Sequence, residues 1–221
     1  MPTCYMCEKS ANTVEHAPPK CVFPEGKDLA AGLNYRRNLI TVPSCEEHNT
    51  AKSRDDEYLL HVLAASITSS PIGLTQFLTK VRRSLERAPN LASTLLPGET
   101  PVMRFVPHAS KLEEGFPISA DGQRIDKVVS GCARALYLHE TGSRFTGRVK
   151  VIAPFMSYGL VTTDNAVGEA VAFAKAFLSS AAAKGENPEV FFYKFAGGPQ
   201  TAVMLLCFYG GTEFLLQFDE R

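Results

Sequence analysis

The pattern of hydrophobic and polar positions changes near residue 54. Residues 1–60 are rich in Cys, His, Asn, Pro and charged residues and contain few long apolar runs. A segment this small and this polar cannot bury enough apolar surface to be stable without a covalent or metal staple. From Arg54 onward apolar residues recur at helical spacing, at Tyr58, Leu59, Val62 and Leu63. The acidic residues 55–57 would lie in the first turn of this predicted helix, where carboxylates favour the helix dipole.

A second helix is predicted directly after the first. Ser69-Ser70-Pro71 should end the first helix and begin the next, because Ser caps helices well and Pro is tolerated in the first turn. This second helix is expected to run to about Arg87. Its apolar face would consist of Leu74, Phe77, Leu78, Val81 and Leu85. Residues 89–101 are predicted to be a connector with about one helical turn.

The remaining residues, 102–221, alternate between strand and helix patterns. The predicted elements are strands at 102–106, 148–155, 190–195, 202–209 and 213–218 and helices at 126–139 and 166–183. Gly142 is a natural end for the first of these helices, and Gly210-Gly211 favours a tight hairpin between the last two strands. The predicted fold class is α+β, with an N-terminal module (1–66), a helical connector (67–101) and a C-terminal α+β domain with antiparallel strands (102–221).

Charge and composition restrict the functional classes only weakly. The chain has 23 basic and 23 acidic residues, so its formal net charge is zero. A nucleic-acid enzyme needs only a local positive track, and the best candidate comprises Lys80, Arg82, Arg83 and Arg87. The alternative is an ordinary solvated helix face. The N-terminal sequence lacks a secretion signal and no apolar run is long enough for a membrane span, so we expect a cytoplasmic protein.

Three of the six cysteines belong to motifs with metal-ligand spacing. Cys4-Tyr-Met-Cys7 is a C-x2-C motif and Cys45-Glu-Glu-His48 is a C-x2-H motif. Together they offer three thiolates and one imidazole, the tetrahedral ligand set that zinc prefers. Because all four positions would be taken by protein, this zinc is expected to be structural. The other cysteines lie in apolar contexts and are expected to be ordinary thiols: Cys21, Cys132 and Cys207.

Three sequence segments around these motifs resemble a known enzyme family. EHAPPKCVFP follows the first motif, NLITVPSCEEHN contains the second, and KSRDDEYL comes next. This order is similar to the HNH (ββα-metal) endonuclease superfamily, and to the branch with (D/E)H-x-x-P and C-x2-C-N elements on a zinc-stapled treble clef. The resemblance covers residues 4–60. It implies a metal-dependent endonuclease that hydrolyses phosphodiester bonds.

The chemistry of phosphodiester hydrolysis fits the same residues. The reaction needs a base for the attacking water and a cation that takes up charge on the phosphate. His16 can be that base, because the ordinary pKa of histidine lies near neutrality. Glu15 should point to the opposite side of the strand from His16, and the resemblance makes it a ligand for Mg²⁺ or Mn²⁺ together with Asn49. It also implies that Asn38 orients His16, and Lys52 is placed near the scissile phosphate by position alone.

Two departures from the family pattern affect these assignments. Many members have Asp where this chain has Glu15, and many have a third metal-ligating His where this chain has Ser53. His48 is assigned to zinc by its spacing. The alternative is that His48 turns toward the catalytic metal and leaves zinc with three protein ligands.

Three functional hypotheses remain open from the sequence. The first is an endonuclease that nicks or cuts DNA, with RNA left open as an alternative substrate. The second is a zinc-containing module that binds nucleic acid or protein without cleaving it. The third places the main function in residues 102–221, which are also a candidate for regulation or for homodimerisation, since two nuclease modules would be needed to cut both strands.

Overall fold

The structure is a computed structural model. It describes residues 2–66, 68–95, 102–106, 111–115, 117–157, 166–198 and 201–220. The elements are mixed helices and antiparallel strands, which confirms the predicted α+β class.

A two-stranded hairpin and two helices form the N-terminal part. Strand β1 (Thr13–His16) pairs antiparallel with β2 (Thr41–Ser44), with Glu15 opposite Val42 and His16 opposite Thr41. The long loop between them contains two short 3-10 turns, at Lys20–Val22 and Gly26–Asp28. Helix α1 (Glu46–Thr50) follows β2 directly and packs beside β1.

The first predicted long helix is confirmed and the second is interrupted. Helix α2 spans Ser53–Ala65 and carries Asp55 and Asp56 in its first turn, where they face the helix dipole. The second begins at Pro71, as predicted, but Ser70 makes no side-chain capping hydrogen bond. A π-helical segment splits it, so its parts are α3 (Pro71–Gln76), Phe77–Val81 and α4 (Arg82–Arg87). Helix α5 (Pro89–Leu95) lies in the predicted connector.

Helix α6 (Gly122–Thr141) is bounded by two cap residues. The Asp121 carboxylate accepts hydrogen bonds from the backbone N–H groups of Gln123 and Arg124, which satisfies two otherwise unpaired donors. Gly142 ends the helix in the left-handed region, at φ 70°, and its N–H donates to Leu138. The helix is therefore longer than the predicted 126–139 at its N-terminal end, and its predicted C-terminal end is confirmed.

The C-terminal strands form an antiparallel five-stranded sheet in the order β5-β9-β8-β7-β6. Its strands are β5 (Arg148–Ile152), β6 (Lys184–Asn187), β7 (Phe191–Gly197), β8 (Thr201–Phe208) and β9 (Thr212–Asp219). A separate hairpin pairs β3 (Val102–Val106) with β4 (Lys111–Gly115). A 3-10 turn at Pro154–Ser157 follows β5, and α7 (Ala166–Phe177) precedes β6.

The sheet also confirms and corrects particular predictions. The predicted hairpin between β8 and β9 is confirmed. Its turn has positive φ angles at Tyr209 (48°) and Gly210 (73°), so one of the two left-handed residues is not a glycine. The helix predicted over 166–183 is shorter, because it ends at Phe177 and β6 begins at Lys184. Strands β4 and β6 were not predicted, since both are short and rich in charged or glycine residues.

One continuous cluster of buried side chains joins the N-terminal part to the sheet. It includes Tyr5 within the first cysteine motif, Leu59 on α2, Leu136 on α6 and Phe214 on β9. A smaller cluster around Leu205 lies on the opposite face of the sheet, against α7. The division into 1–66, 67–101 and 102–221 stays a prediction. None of the helices in the described ranges combines the length and the apolar character needed to cross a bilayer.

Candidate metal centre

The two cysteine motifs come together into one cluster. The four ligand atoms of Cys4, Cys7, Cys45 and His48 all lie within 4.8 Å of one another. Cys7 Sγ is 3.8 Å from Cys45 Sγ, and His48 Nδ1 is 3.7 Å from Cys4 Sγ and 3.2 Å from Cys45 Sγ. A tetrahedral zinc, with Zn–S of about 2.3 Å and Zn–N of about 2.0 Å, requires ligand atoms roughly 3.5–3.8 Å apart. These four side chains could therefore hold a metal ion such as zinc.

The local chain geometry makes the cluster a suitable thiolate site. Cys4 and Cys7 lie on a tight turn before β1, whereas Cys45 is the residue before α1 and His48 lies in that helix. Burial opposes ionisation of Cys4, but backbone N–H groups outweigh it and lower the pKa of Cys4 to about 6. One of them is the N–H of Met6, 3.4 Å from Cys4 Sγ. A thiolate is the form of cysteine that binds metal. The position of His48 beside the thiols favours its assignment to this cluster.

Glu15 and His16 lie on opposite faces of β1. Val14 is 59% exposed and Glu15 is buried, so burial alternates along the strand as its pleat requires. His16 is half-buried, and the Ala17–Pro18 peptide that follows it is cis. Burial is the largest influence that lowers the pKa of His16, and the positive charges of Lys20, Lys52 and Arg36 lower it further.

The Glu15 side chain belongs to a buried ionic group. Lys52 Nζ lies 3.0 Å from Glu15 Oε1 and 3.1 Å from Asp56 Oδ1, and the three side chains are 6%, 14% and 15% exposed for Glu15, Lys52 and Asp56. Burial raises the pKa of Glu15 and of Asp56, against the opposing effect of Lys52. Glu15 Oε2 is buried and has no hydrogen-bond partner among the described residues. The structure thus gives Lys52 two carboxylate partners inside the protein.

The two asparagines lie on neighbouring segments of the same module. Asn38 adopts a left-handed backbone conformation, φ 50°, which Asn tolerates better than most residues. It lines a small cavity together with Ala17 and Pro18, directly after His16. Asn49 is half-buried on α1, one residue after His48. Among the described residues, neither asparagine is hydrogen-bonded to Glu15 or His16, so their assigned roles stay predictions.

The basic stretch is largely paired with acidic side chains. Lys80 Nζ lies 3.1 Å from Glu25 Oε1, and Arg83 binds both carboxylate oxygens of Asp28, at 2.9 and 2.7 Å. Arg82 pairs with Glu86 one turn further along, at 2.9 Å. Arg87 has no acidic partner within the described part of the chain. The role of this stretch in nucleic-acid binding stays a prediction.

Sequence reasoning missed three charged residues near the site. Asp56 lies four residues after Lys52, a helical spacing that could have indicated the pair. Lys20 closes the EHAPPK string, and Arg36 comes from the long loop, where it donates to the Phe23 carbonyl. Only the folding of that loop brings the charge of Arg36 toward His16, so no sequence spacing could have revealed it.

Comparisons with protein-family models, with curated proteins and with solved structures find no match to this chain.

Proposed function

We propose that this chain is a metal-dependent endonuclease of the HNH type that hydrolyses phosphodiester bonds in DNA. The observation that carries the proposal is the hairpin-and-helix unit: Glu15-His16 ends β1, β2 returns antiparallel, and α1 follows at once with Asn49. The Cys/His cluster lies where this helix begins. Such a unit is what the ββα-metal arrangement and its treble clef require.

The zinc in this proposal is structural. Its four ligands would fill a tetrahedron and leave no open position for a substrate or water. They join the turn before β1 to the start of α1, and so fix the segment that carries the reacting residues. The binding free energy of such sites is on the order of 10 kcal/mol, enough to hold a small polar module together.

The reacting groups would be placed around His16. Its half-buried imidazole can take the proton of the attacking water. A divalent metal, Mg²⁺ or Mn²⁺, would be held by Glu15 and Asn49, and when bound it supplies positive charge to the phosphate and the leaving oxygen. The free Oε2 of Glu15 suits such an ion, because carboxylate oxygens are the ligands it prefers. Lys20 and Arg36, whose charges act on His16, are suited to orient the phosphate.

A plasmid-nicking assay tests this proposal. Zinc-loaded protein with Mg²⁺ or Mn²⁺ should convert supercoiled DNA to nicked or linear forms. His16→Ala should lower the rate by about 10²- to 10⁴-fold, since that is the usual contribution of a general base. His139→Ala is the matched control, because His139 is exposed at the end of α6. Equal cleavage by both variants would remove His16 from the role, and no cleavage of DNA or RNA by wild type would end the enzyme proposal.

A second function, a zinc-containing binding module without cleavage, is favoured by one observation. Lys52 forms a buried ion pair with Glu15, which is the arrangement expected if this carboxylate stabilises the fold and does not bind a catalytic metal. A mobility-shift titration distinguishes the two functions: retarded DNA that stays intact in Mg²⁺ would support the binding module.

We also propose that the chain forms a homodimer through its C-terminal part. Helix α7 exposes Phe173 (72%) and Phe177 (48%), one turn apart, on a helix with few charges. Exposed apolar side chains of this kind often lie in protein interfaces. Light scattering should give twice the mass of one chain for wild type and the monomer mass for Phe173→Ser/Phe177→Ser, and a monomeric wild type would contradict the proposal.

A further inference from the structure

The buried ionic group of Glu15, Lys52 and Asp56 has an excess of negative charge. It combines two carboxylates with one ammonium, and all three side chains are at least 85% buried. Among the described residues, no second basic side chain forms an ion pair with this group and balances its charge. Removing an uncompensated charge from water is costly unless a proton or a cation neutralises it.

The unpaired oxygen of Glu15 indicates where that compensation is needed. Oε1 accepts from Lys52, whereas Oε2 is buried with no hydrogen-bond partner. Buried carboxylate oxygens normally have a donor or a cation beside them, and Oε2 has no such donor among the described residues. The thiol of Cys21 donates to the Asp56 backbone carbonyl, at 3.3 Å, and not to either carboxylate. The ionic group thus contains a carboxylate oxygen, Glu15 Oε2, for which it has no hydrogen-bond donor.

We propose that Glu15 and Asp56 form a divalent-cation site in which the Lys52 ammonium takes the place of the ion in the metal-free protein. Both carboxylates already converge on one positive centre, Lys52 Nζ, at 3.0 and 3.1 Å. A divalent ion at that centre would bring one more positive charge than lysine and would balance the group. This inference rests on the proposed role of Glu15 as a metal ligand and adds Asp56 as its second carboxylate.

The exchange is sterically reasonable because both carboxylates lie on regular secondary structure, whereas the lysine side chain is long and flexible. Glu15 is held by the β1–β2 pairing and Asp56 by the first turn of α2. Lys52 immediately precedes that helix, and its side chain is 14% exposed. Its flexible four-carbon stem would let the ammonium move outward to the solvent when the ion binds. The carboxylates need to approach by about 1 Å, since Mg²⁺ and Mn²⁺ ligand distances are about 2.1 Å.

Manganese binding tests the site without any nuclease assay. Zinc-loaded full-length protein is titrated with MnCl₂ while the free ion is measured by electron paramagnetic resonance. Wild type should bind one Mn²⁺ per chain, and Glu15→Gln and Asp56→Asn should each weaken binding by about tenfold or more, since each removes a ligand charge. Lys52→Met should strengthen binding by about tenfold, because the competing ammonium is gone. Misfolding cannot produce that increase.

Asp55→Asn is the matched control. Asp55 is the neighbouring carboxylate on the same turn but pairs with Arg124 and Lys127, at 2.8 and 3.0 Å. Weaker binding with Glu15→Gln and not with Asp56→Asn would overturn this inference and leave Glu15 as the proposed ligand. No effect of either would overturn both proposals. Equal weakening by Asp55→Asn, or no gain with Lys52→Met, would likewise contradict the exchange.

Discussion

His61 is a buried titratable side chain that the proposed chemistry does not use. It lies on α2, is 1% exposed, and neither ring nitrogen has a hydrogen-bond partner among the described residues. Burial is the main cause that lowers the pKa of His61; Glu57, whose Oε1 is 4.0 Å away, opposes the shift, and Arg124 and Lys80 add to it. The unfolded chain, with a histidine pKa near 6.5, binds a proton more readily than the fold does.

Acid should therefore destabilise the protein through His61. The free energy of unfolding should fall as the pH drops below about 6.5, by up to about 1.4 kcal/mol per pH unit until the lowered folded-state pKa is reached. Urea unfolding at pH 7.5 and 5.5, with zinc present throughout, should show a smaller loss for His61→Leu than for wild type. His139→Gln, at an exposed position, should keep the wild-type loss. An unchanged loss in His61→Leu would contradict this assignment.

At the scale of elements, the Cys/His cluster brings the turn before β1 and the start of α1 together. Each contributes two of the four side chains, and between them lie the β1–β2 hairpin and a long loop with only two short 3-10 turns. Such a loop gains little stability from its own hydrogen bonds. The hairpin that carries Glu15 and His16 should therefore depend on the metal for its order.

Loss of one ligand tests that dependence. Cys7→Ser should lower zinc affinity by more than about 100-fold, because even the outer partners of metal ligands contribute about 10- to 100-fold. Zinc content after dialysis against a chelator, together with the thermal midpoint, measures the effect. Cys21→Ser, at another half-buried cysteine outside the cluster, should keep wild-type zinc content. Retention of one tightly bound zinc by Cys7→Ser would show that Cys7 is not a ligand.

At the scale of the whole molecule, direct hydrogen bonds link the C-terminal sheet to the loop after β1. The hydroxyl of Tyr209, in the β8–β9 turn, donates to the Val22 carbonyl at 2.6 Å, where Gln76 Nε2 also donates at 3.0 Å. Asn187, at the end of β6, donates to the Arg37 carbonyl at 3.2 Å. The sheet therefore supports the loop that contains Asn38 and Arg36, the second of which acts electrostatically on His16.

Removal of the Tyr209 hydroxyl should weaken this support modestly. Tyr209→Phe should lower the free energy of unfolding by about 1 kcal/mol, because one buried hydrogen bond is lost while Val22 keeps its second donor. Urea unfolding measures the difference. Tyr35→Phe, at a half-exposed tyrosine with no hydroxyl partner in the described ranges, should change stability by less. A neutral Tyr209→Phe would show that this contact contributes little to the packing of the sheet on the loop.

The sequence by itself determined the elements with strong local signals. Helix α2 and the end of α6 at Gly142 followed from apolar spacing and a cap residue, and the β8–β9 hairpin followed from Gly210-Gly211. The Cys/His cluster was predicted for the same reason, since two short motifs each place their ligands within one turn. In the helices and the hairpin the relevant residues are neighbours in the chain, whereas the two cysteine motifs are local only within each pair and meet through the fold.

Only the tertiary structure decided which distant groups meet. Lys52 was assigned to phosphate from its position in the sequence, yet in the fold its ammonium lies between Glu15 on β1 and Asp56 on α2. Arg36 and Arg83 likewise acquire their partners through the long loop. Periodicity and motifs report local geometry, whereas the pairing of charges is set by how much water the complete fold removes from them.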